Sequence, residues 1–362
     1  MSVEYPRFKA ACCHAAPVFL DTAATIDKAV ALIGEAARHG ASLVAFPESF
    51  VPAFPLWAAL RAPIHNHDFF RRLAREAVLA DGPELGAIAR AAKEHDIHVS
   101  IGFTEGTHAS VGCLWNSNAL FGRDGSLLNL HRKLVPTFYE KLIWANGDAR
   151  GLRVVPTAIG RIGMLICGEN TNPLSRFALM AEGEQVHIST YPPLWPTRPP
   201  AQAGAYNLQR AIEIRAGAHA FEAKVFNIVS SAFADRTLKD ALAGGEKEVL
   251  EVIEQSPRSV SMILDPAGNV VGGPLSEDEG IIYADIDTAL SVEPKQFHDV
   301  VGYYNRFDIF GFSVDRTARE PATYHDAAER VVAPKRSSLN GPAPAEARDL
   351  PVHQAADRRY ET

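Results

Sequence analysis

Residues 161–191 read RIGMLICGENTNPLSRFALMAEGEQVHISTY, and this stretch decides the fold class. Its apolar opening predicts a strand that ends abruptly at Gly168, Glu169 and Asn170. The following PLSRFALMAEGE predicts a helix with Pro173 in its first turn, where the missing N–H of proline is tolerated. VHISTY then predicts a second strand. Strand and helix therefore alternate over a short distance, as they do in layered α/β proteins.

The same alternation extends over most of the chain. An amphipathic helix is predicted over 21–39, between two strands. The Asp124-Gly125 pair predicts the turn of a β-hairpin, which adds antiparallel pairing. The pattern as a whole therefore predicts a layered α/β domain with mixed sheets. Residues 235–257 carry many charges and a pair of glycines, and we expect them to form an exposed insertion.

Composition narrows the class of protein. The chain has 362 residues, of which 47% are hydrophobic and 22% charged, as in globular proteins. Its formal net charge of −7 disfavours nucleic acid or an anionic membrane as the main partner. No apolar run reaches the ~18 residues of a membrane span, and the N-terminal residues do not resemble a signal peptide. The four cysteines form no CxxC pair, so we expect a cytoplasmic protein with reduced thiols.

Three chemically reactive side chains stand at the ends of apolar runs: Glu48, Lys133 and Cys167. Ligand sites in α/β sheets lie beyond the carboxyl ends of strands, so these three side chains can converge. A cysteine thiolate is a nucleophile, and a nearby carboxylate can take the proton of the thiol. A buried ammonium can stabilise the negative charge that develops on the attacked group. The three residue types together indicate nucleophilic catalysis.

Each residue also has an ordinary interpretation. A lone cysteine on an apolar strand is usually a small core residue, and an isolated acid or lysine after a strand is usually a solvated charge. Cys12 and His14 share one face of a strand, but two ligands without a third do not indicate a metal site. A Cys167–His187 dyad lacks an oriented third partner. The positions of these residues in the sequence do not decide between the catalytic and the ordinary interpretations.

Four segments carry a family resemblance: AFPESFVPAFP (45–55), LHRKLVPTFYEKLIWANGD (130–148), GMLICGENTNPLSRFALMAEGEQVHISTYPP (163–193) and VGYYNRFDIFGFSV (301–314). The first three are similar to the glutamate, lysine and cysteine motifs of the nitrilase superfamily, the carbon–nitrogen hydrolases. The fourth resembles the segment that closes many microbial nitrilases. The resemblance covers most of the chain and implies a four-layer αββα sandwich of the nitrilase type.

The resemblance also implies a role for each motif residue. By this resemblance Cys167 is the nucleophile, Glu48 the general base and Lys133 the electrostatic stabiliser. The family's second glutamate, which positions the lysine and can share proton transfer, matches Glu140. Glu169 follows the nucleophile in the family's C-x-E pattern, and we interpret it as structural support. The mechanism implied needs no metal and no cofactor.

The sequence departs from many nitrilases beside the nucleophile. Tryptophan often follows the cysteine in that family, whereas this chain has Gly168. We expect the glycine to leave space for a bulkier substrate. The candidate pocket-lining residues, together with this glycine, are Phe54, Trp57, Tyr191 and Trp195. Ordinary packing or a subunit contact explains each aromatic residue equally well.

The function implied is hydrolysis of an organic nitrile to a carboxylic acid and ammonia, through a covalent cysteine thioimidate and thioester. One alternative is another reaction of the superfamily: amide or carbamoyl hydrolysis, cyanide hydration, or conversion of a nitrile to an amide. A second alternative is a catalytically silent oligomeric scaffold. The partner implied is a small-molecule nitrile, with no nucleic acid and no membrane.

The resemblance divides the chain into a nitrilase domain over 1–315 and a C-terminal extension over 316–362. The extension is rich in alanine, proline and charge, and we expect it to be mobile from about residue 334. The family also implies a homo-oligomer built from dimers that stack across helices, including 173–184. In microbial nitrilases such dimers often extend into spirals. The aromatic stretch 303–308 is interpreted as a packing or subunit-contact segment.

Overall fold

Two six-stranded sheets form the centre of the fold. The computed structural model describes residues 4–199, 202, 204 and 206–317. Within these residues the strands are β1 (Arg7–His14), β2 (Ala41–Ala45), β3 (His98–Glu105), β4 (Trp115–Phe121), β5 (Leu127–Arg132), β6 (Val155–Thr157), β7 (Gly160–Ile166), β8 (Val186–Tyr191), β9 (Phe226–Ser231), β10 (Ser261–Leu264), β11 (Val270–Leu275) and β12 (Gly280–Asp287). The α-helices are α1 (Thr22–Arg38), α2 (Trp57–Leu60), α3 (His67–Glu76), α4 (Pro83–Glu94), α5 (Pro173–Ala181), α6 (Leu208–Ala223), α7 (Arg236–Ala243), α8 (Lys247–Gln255) and α9 (Val292–Phe297).

Parallel pairing occupies the middle of each sheet. The first sheet has the order β12-β1-β2-β3-β4-β5, and the second has the order β11-β10-β9-β8-β7-β6. β1, β2 and β3 run parallel, as do β7, β8 and β9, while the flanking strands pair antiparallel. α1 and α4 lie in the crossovers of the first sheet, and α5 and α6 lie in those of the second. The sheets are mixed, as the sequence predicts.

The sheets pack face to face with helices outside. Their shared core contains side chains from both sheets, among them Phe8, Leu43, Leu120, Met164, Ile188 and Ile263. On the other face of the first sheet, apolar residues of α1 and α4 form a second cluster with the strands. On the other face of the second sheet, α5 packs against β7 and α6 against β9. This order of layers confirms the predicted αββα sandwich.

Local sequence accounts for the main elements. Asp21 caps α1 by accepting a hydrogen bond from the Ala24 N–H at 2.9 Å. Asn172 caps α5 in the same way, with Pro173 at the first helical position. In the β4–β5 hairpin, Gly125 adopts a φ of +83°, which the turn requires. The predicted helix over 21–39 and the predicted hairpin are therefore both present.

The expectation of an exposed insertion at 235–257 is wrong. These residues form α7 and α8, whose apolar side chains belong to the same buried cluster as Cys167. Leu238 and Leu242 repeat at a spacing of four, as do Val249 and Ile253, so each pair occupies one helix face. The charged residues occupy the opposite face, which is why composition alone suggested exposure.

The C-terminal extension lies almost wholly outside the described residues. Only 316 and 317 of the predicted 316–362 segment are described. Its mobility from about residue 334 and the boundary at 315 therefore stay predictions. Among the described helices, none combines the length and the apolar character that crossing a bilayer requires.

Candidate active site

The candidate site lies where loops from the two sheets meet. Glu48 follows β2 and Lys133 directly follows β5, both in the first sheet, whereas Cys167 directly follows β7 in the second. Glu140 lies in a 3₁₀ turn at Phe138–Leu142. All four side chains are buried. The structure thus brings together the four residues that the resemblance proposed as catalytic.

Lys133 lies at the centre of this cluster. Its Nζ donates to Oε1 of Glu48 at 2.8 Å and to both carboxylate oxygens of Glu140, at 2.9 and 2.7 Å. Carboxylate oxygens of Glu48 and Glu140 and the sulfur of Cys167 lie within 4.8 Å of one another. One thiol, two carboxylates and one ammonium therefore share a single buried space.

One carboxylate oxygen of Glu48 accepts hydrogen bonds, and the other has no described partner. Its Oε1 accepts from Lys133 and from Nδ2 of Asn116, the latter at 2.7 Å. Its Oε2 is buried and has no hydrogen-bond partner within the described part of the chain. A buried acceptor without a partner is unfavourable, so such atoms are rare outside functional sites. Oε2 is therefore the oxygen available to accept a proton.

Unusual backbone conformations occur at the cluster and beside it in the chain. Ser49, Phe138 and Cys167 have φ values of +44°, +51° and +49°, in the left-handed region that residues with a Cβ rarely adopt. Such conformations cost free energy and concentrate at functional sites. The loop after β2 also needs Gly102 on β3, because a Cβ there would lie 2.3 Å from the carbonyl oxygen of Pro47.

Burial and neighbouring charges set the protonation of the cluster. Burial lowers the pKa of Lys133, but the Glu140 and Glu48 carboxylates outweigh burial and leave that pKa above its usual value. Burial raises the pKa of Glu140 to about 7, against the opposing effect of Lys133. Burial, and after it the charge of Glu48, raises the pKa of the Cys167 thiol to about 12. The thiol is therefore protonated at neutral pH, and a thiol in this state acts as a nucleophile only when a base takes its proton.

Glu169 connects the ends of β5 and β7. Its Oε2 accepts from the Ile166 N–H at 2.8 Å and lies 2.9 Å from Nε2 of His131, while its Oε1 accepts from the Leu134 N–H at 2.7 Å. Burial raises the pKa of Glu169, but His131 and these N–H groups outweigh burial and leave it below its usual value. Its oxygens are thus fully engaged by the strand ends, as expected of a positioning residue.

A second buried network adjoins the backbone of Cys167. Asn170 donates from Nδ2 to the carbonyl oxygen of Cys167 at 3.2 Å, and its Oδ1 lies 2.9 Å from Nε2 of His187. Glu184 lies 2.6 Å from Nδ1 of His187 and 2.7 Å from Nε2 of His219. Both ring nitrogens of His187 are therefore engaged away from the sulfur, which excludes the Cys167–His187 dyad.

Two buried groups among the described residues have the composition of a metal site: Glu48 with Glu140 and Cys167, and Glu184 with His187 and His219. In the first group the ammonium of Lys133 already lies between the carboxylates. In the second group the two imidazole rings stack with centroids 3.8 Å apart, and each places a nitrogen against Glu184. Internal hydrogen bonds thus account for both groups.

Comparison with known sequences places this geometry in a family. The carbon-nitrogen hydrolase family matches residues 9–295. The chain belongs to the carbon–nitrogen hydrolase family. A nitrilase of Paraburkholderia phymatum is 34% identical over 321 residues, which cover 86% of this chain and 87% of the relative. A bromoxynil-specific nitrilase of Klebsiella pneumoniae subsp. ozaenae is 36% identical over 319 residues, which cover 87% of each chain. The resemblance drawn from the motifs is confirmed.

Solved structures of carbon–nitrogen hydrolases agree in fold. The carbon–nitrogen hydrolase of Helicobacter pylori aligns with a TM-score of 0.64 at 18% identity, over 84% of this chain and 97% of that one. At this identity the likeness concerns the fold alone. It agrees with the four-layer sandwich described above.

Aromatic side chains pack in the part of this hydrolase that contains Cys167. The four predicted pocket residues all lie in the same buried cluster as Cys167: Phe54, Trp57, Tyr191 and Trp195. Phe54 meets Trp195 edge-on with centroids 5.9 Å apart, and Trp195 stacks on Tyr139 at 4.3 Å. Trp57 stacks instead on Phe69 at 5.2 Å. Phe54, Trp195 and Tyr139 thus form a continuous aromatic wall, and its contact with substrate stays a proposal.

The expectation that Gly168 leaves space for a bulkier substrate is wrong. A Cβ at this position would lie 2.7 Å from the Thr137 hydroxyl oxygen. Thr137 precedes the 3₁₀ turn that carries Glu140, and its N–H donates to Oε2 of Glu140 at 2.8 Å. The space that glycine vacates is therefore filled by the turn that positions Glu140. The sequence could not show this, because the contact spans two distant segments.

A cavity of about 400 Å³ adjoins the aromatic wall. Tyr139 contributes to both the wall and the cavity. Its other lining residues come from α2, from the proline-rich loop after β8 and from α8, which contributes Glu248, Val249 and Val252. The segment expected to be an insertion thus forms part of a recess beside the site.

Sequence reasoning missed Arg215 on α6. Its guanidinium donates from Nη2 to the Tyr206 hydroxyl and lies 5.7 Å from the ring centroid of Tyr191. Burial lowers the pKa of Arg215, but the Cys167 thiol and these tyrosines outweigh burial and raise it. Since α6 packs against the turn Cys167–Thr171, Arg215 is a second cation near Cys167. It stands mid-helix in a charged stretch, and no pattern in the sequence singles it out.

Proposed function

We propose that this hydrolase converts an organic nitrile to a carboxylic acid and ammonia, with Cys167 as the covalent nucleophile. The observation that carries the proposal is the single buried cluster of Glu48, Lys133, Glu140 and Cys167, in a chain whose relatives are nitrilases. The residue roles, the cysteine mechanism and the preference for nitriles over amides are all part of the proposal.

The first half of the reaction forms a covalent bond to sulfur. Glu48 accepts the thiol proton on Oε2 as the Cys167 sulfur adds to the nitrile carbon. The nitrile nitrogen takes up a proton, which gives a thioimidate. Lys133 stabilises the negative charge that develops on nitrogen, because its ammonium is held beside the reacting atoms at no further cost of reorganisation.

The second half releases both products. A water adds to the thioimidate carbon, and ammonia leaves the resulting tetrahedral species as a thioester forms. A second water, deprotonated by Glu48, attacks the thioester, and the carboxylic acid leaves as the thiol is restored. Lys133 and the backbone N–H of Gly168 are the donors proposed for the tetrahedral species. Two waters are consumed for each nitrile.

The competing proposal is hydrolysis of an amide or carbamoyl group by the same residues. The cluster supports either reaction, because a thiol, a base and a cation serve both substrates. The curated relatives at 34% and 36% identity carry nitrilase names, and this favours nitriles. Product analysis separates the two reactions.

The test is ammonia release from matched nitriles and amides, with the products identified by mass in ¹⁸O-labelled water. Phenylacetonitrile, 3-phenylpropionitrile and an aliphatic dinitrile are compared with the corresponding amides, and Cys167→Ala serves as the blank. We expect ammonia and an acid that carries two labelled oxygens from nitriles, and neither from the variant. Ammonia from amides alone would overturn the nitrile proposal in favour of amide hydrolysis.

We also propose that the hydrolase assembles as a homo-oligomer through α5 and α6. These helices are joined by an ion pair between Arg176 Nη1 and Glu222 Oε2 at 2.5 Å, and they expose Leu174 and Phe221. In the segment after α9, Val300 and Val301 pack against Met180 of α5 and Ala223 of α6. This segment adds further exposed apolar residues: Tyr303, Tyr304, Phe307, Ile309 and Phe310. Exposed apolar side chains gathered on one face are typical of subunit interfaces.

A further inference from the structure

Arg215 stands apart from comparable arginines in the described part of the chain. Six arginines there are half-buried, and five of them pair with a carboxylate: Arg61, Arg132, Arg150, Arg176 and Arg316. No described carboxylate lies within 4 Å of Arg215. A partly desolvated guanidinium without a carboxylate partner is unfavourable, and an anion supplied from outside the chain would compensate it through charge-assisted hydrogen bonds.

The position of Arg215 directs it toward the substrate. α6 packs against the turn Cys167–Thr171 that begins with the nucleophile. The Tyr191 ring lies 5.7 Å from the guanidinium on one side, and the Tyr206 ring lies 5.9 Å from it. Because the Tyr206 hydroxyl accepts a hydrogen bond from Arg215, its own proton remains free to donate to a ligand.

We propose that Arg215 and Tyr206 form an anion subsite beside Cys167, which selects short nitriles that carry a carboxylate near the nitrile carbon. The proposal rests on covalent attack by Cys167, as proposed above. In this arrangement the guanidinium fork binds the carboxylate, and the aromatic wall limits the length of the substrate. The electrostatic contribution of Lys133 stays directed at the reacting nitrogen, because both carboxylates of the cluster hold it.

The first test uses two electrophiles of equal size, iodoacetate and iodoacetamide. Both alkylate a thiolate with loss of iodide, so the ratio of their rates does not depend on the pKa of the thiol. Mass mapping should give, for Cys167, a ratio of the iodoacetate rate to the iodoacetamide rate that is at least about tenfold higher than for Cys113. Cys113 is a half-buried thiol in the same sample and serves as the reference. Equal ratios at the two cysteines would overturn the subsite.

Variants on α6 test whether Arg215 causes the preference of Cys167 for iodoacetate. Arg215→Gln should lower the Cys167 ratio at least about tenfold. Arg210→Gln, which removes an exposed arginine from the same helix, should leave the ratio unchanged. If Arg215 only balances the charges of Glu48 and Glu140, Arg215→Gln would slow both reagents equally, and that result would also overturn the proposal.

The second test is turnover of two nitriles of matched shape, 3-cyanopropanoate and 4-methylpentanenitrile. We expect kcat/KM to favour the carboxylate at least about tenfold in the wild type and to lose this preference in Arg215→Gln. Hydrolysis of the neutral nitrile with no preference for the anion would overturn the subsite while the proposed nitrilase function stands. If Cys167 prefers iodoacetate as expected but no nitrile is hydrolysed, the result would support the subsite and overturn the nitrilase function.

Discussion

The Nζ atom of Lys133 lies 2.8 Å from Oε1 of Glu48, although one residue follows β5 and the other follows β2. Both side chains are fully buried. A buried ammonium between two carboxylates is stable only while every member is present, because each compensates the desolvation of the others. Removal of a single member of the arrangement that carries the proposed chemistry should therefore destabilise the fold.

Replacement of Lys133 by Met should reduce both activity and stability. The loss of the ammonium leaves two buried carboxylates without a counter-ion, and we expect the free energy of unfolding to fall by about 3–5 kcal/mol. The kcat should fall by at least about 10², since one preorganised group is lost. Guanidinium unfolding and ammonia release at pH 7.5 measure the two effects.

The double variant Lys133→Met with Glu140→Gln is the matched control. Removal of one carboxylate charge should restore part of the stability lost in Lys133→Met, while activity stays absent. Full activity in either variant would contradict the role proposed for Lys133. Unchanged stability in the single variant would contradict the buried ion cluster.

The pH dependence of activity should reflect the ionisation of Glu140 and the groups coupled to it. Burial raises the pKa of this carboxyl to about 7, and only the ionised form holds Lys133 in place. We therefore expect kcat/KM to rise with pH through about 7, with an apparent pKa that belongs to the coupled cluster. Glu140→Gln should lower activity and remove or shift this limb, whereas Glu254→Gln, an exposed acid on α8, should leave it unchanged. A flat wild-type profile between pH 6 and 8 would contradict this prediction.

Stability should fall on the acid side because of His219. Burial, and after it the charge of His187, lowers the pKa of His219 from 6.5 to about 4. At this histidine the unfolded chain therefore binds a proton more tightly than the folded chain. The contribution of neutral His219 to the free energy of unfolding is complete above pH 6.5 and is lost between about pH 6.5 and 4. The loss should amount to at most about 3 kcal/mol.

His219→Gln removes this titration, so its free energy of unfolding should change less between pH 7 and 4.5 than that of the wild type. His65→Gln, at an exposed position, is the control and should follow the wild type. Parallel pH curves for wild type and His219→Gln would count against the prediction.

Gly168→Ala should lower kcat by about ten- to a hundredfold. The added Cβ would lie 2.7 Å from the Thr137 hydroxyl oxygen and would displace the turn that carries Glu140. Gly217→Ala on α6, where the Cβ meets nothing within 4 Å, is the matched control and should retain full activity. Wild-type kinetics in Gly168→Ala would show that the site accommodates the extra carbon.

Leu174→Glu should weaken assembly without loss of the fold. The side chain is 62% exposed on α5, and a charge there opposes burial in an interface. Light scattering after size exclusion should show a smaller particle than for the wild type. Val111→Glu, an equally polar change at an 88% exposed position elsewhere, should leave the particle size unchanged. The same size for wild type and Leu174→Glu would exclude α5 from the interface.

The sequence predicts the fold class and the main reactive residues because both depend on local patterns. Glu48, Lys133 and Cys167 each follow an apolar run, and strand ends are where sites form in α/β sheets. Their motifs then identify the family. The αββα layers follow from the family and are confirmed by the two packed sheets.

The remaining features depend on contacts between distant segments. Thr137 fills the space beside Gly168, and Arg215 lies on α6, which packs against the turn that begins at Cys167. Charge composition suggested exposure for 235–257, but helical periodicity buries one face of each helix. The contacts of Thr137 and Arg215 leave no local signal, because they are made only when the sheets and helices pack, whereas the periodicity of 235–257 is visible in the sequence and outweighs its charge composition.

The most direct test of the proposed mechanism is the mass of Cys167 during turnover. The protein is mixed with excess phenylacetonitrile, quenched with acid within the first turnovers and digested for mass analysis. We predict that the peptide containing Cys167 carries the thioimidate or thioester adduct, and that Cys12, Cys13 and Cys113 remain unmodified. Turnover without an adduct on Cys167, or with an adduct on another cysteine, would contradict Cys167 as the nucleophile.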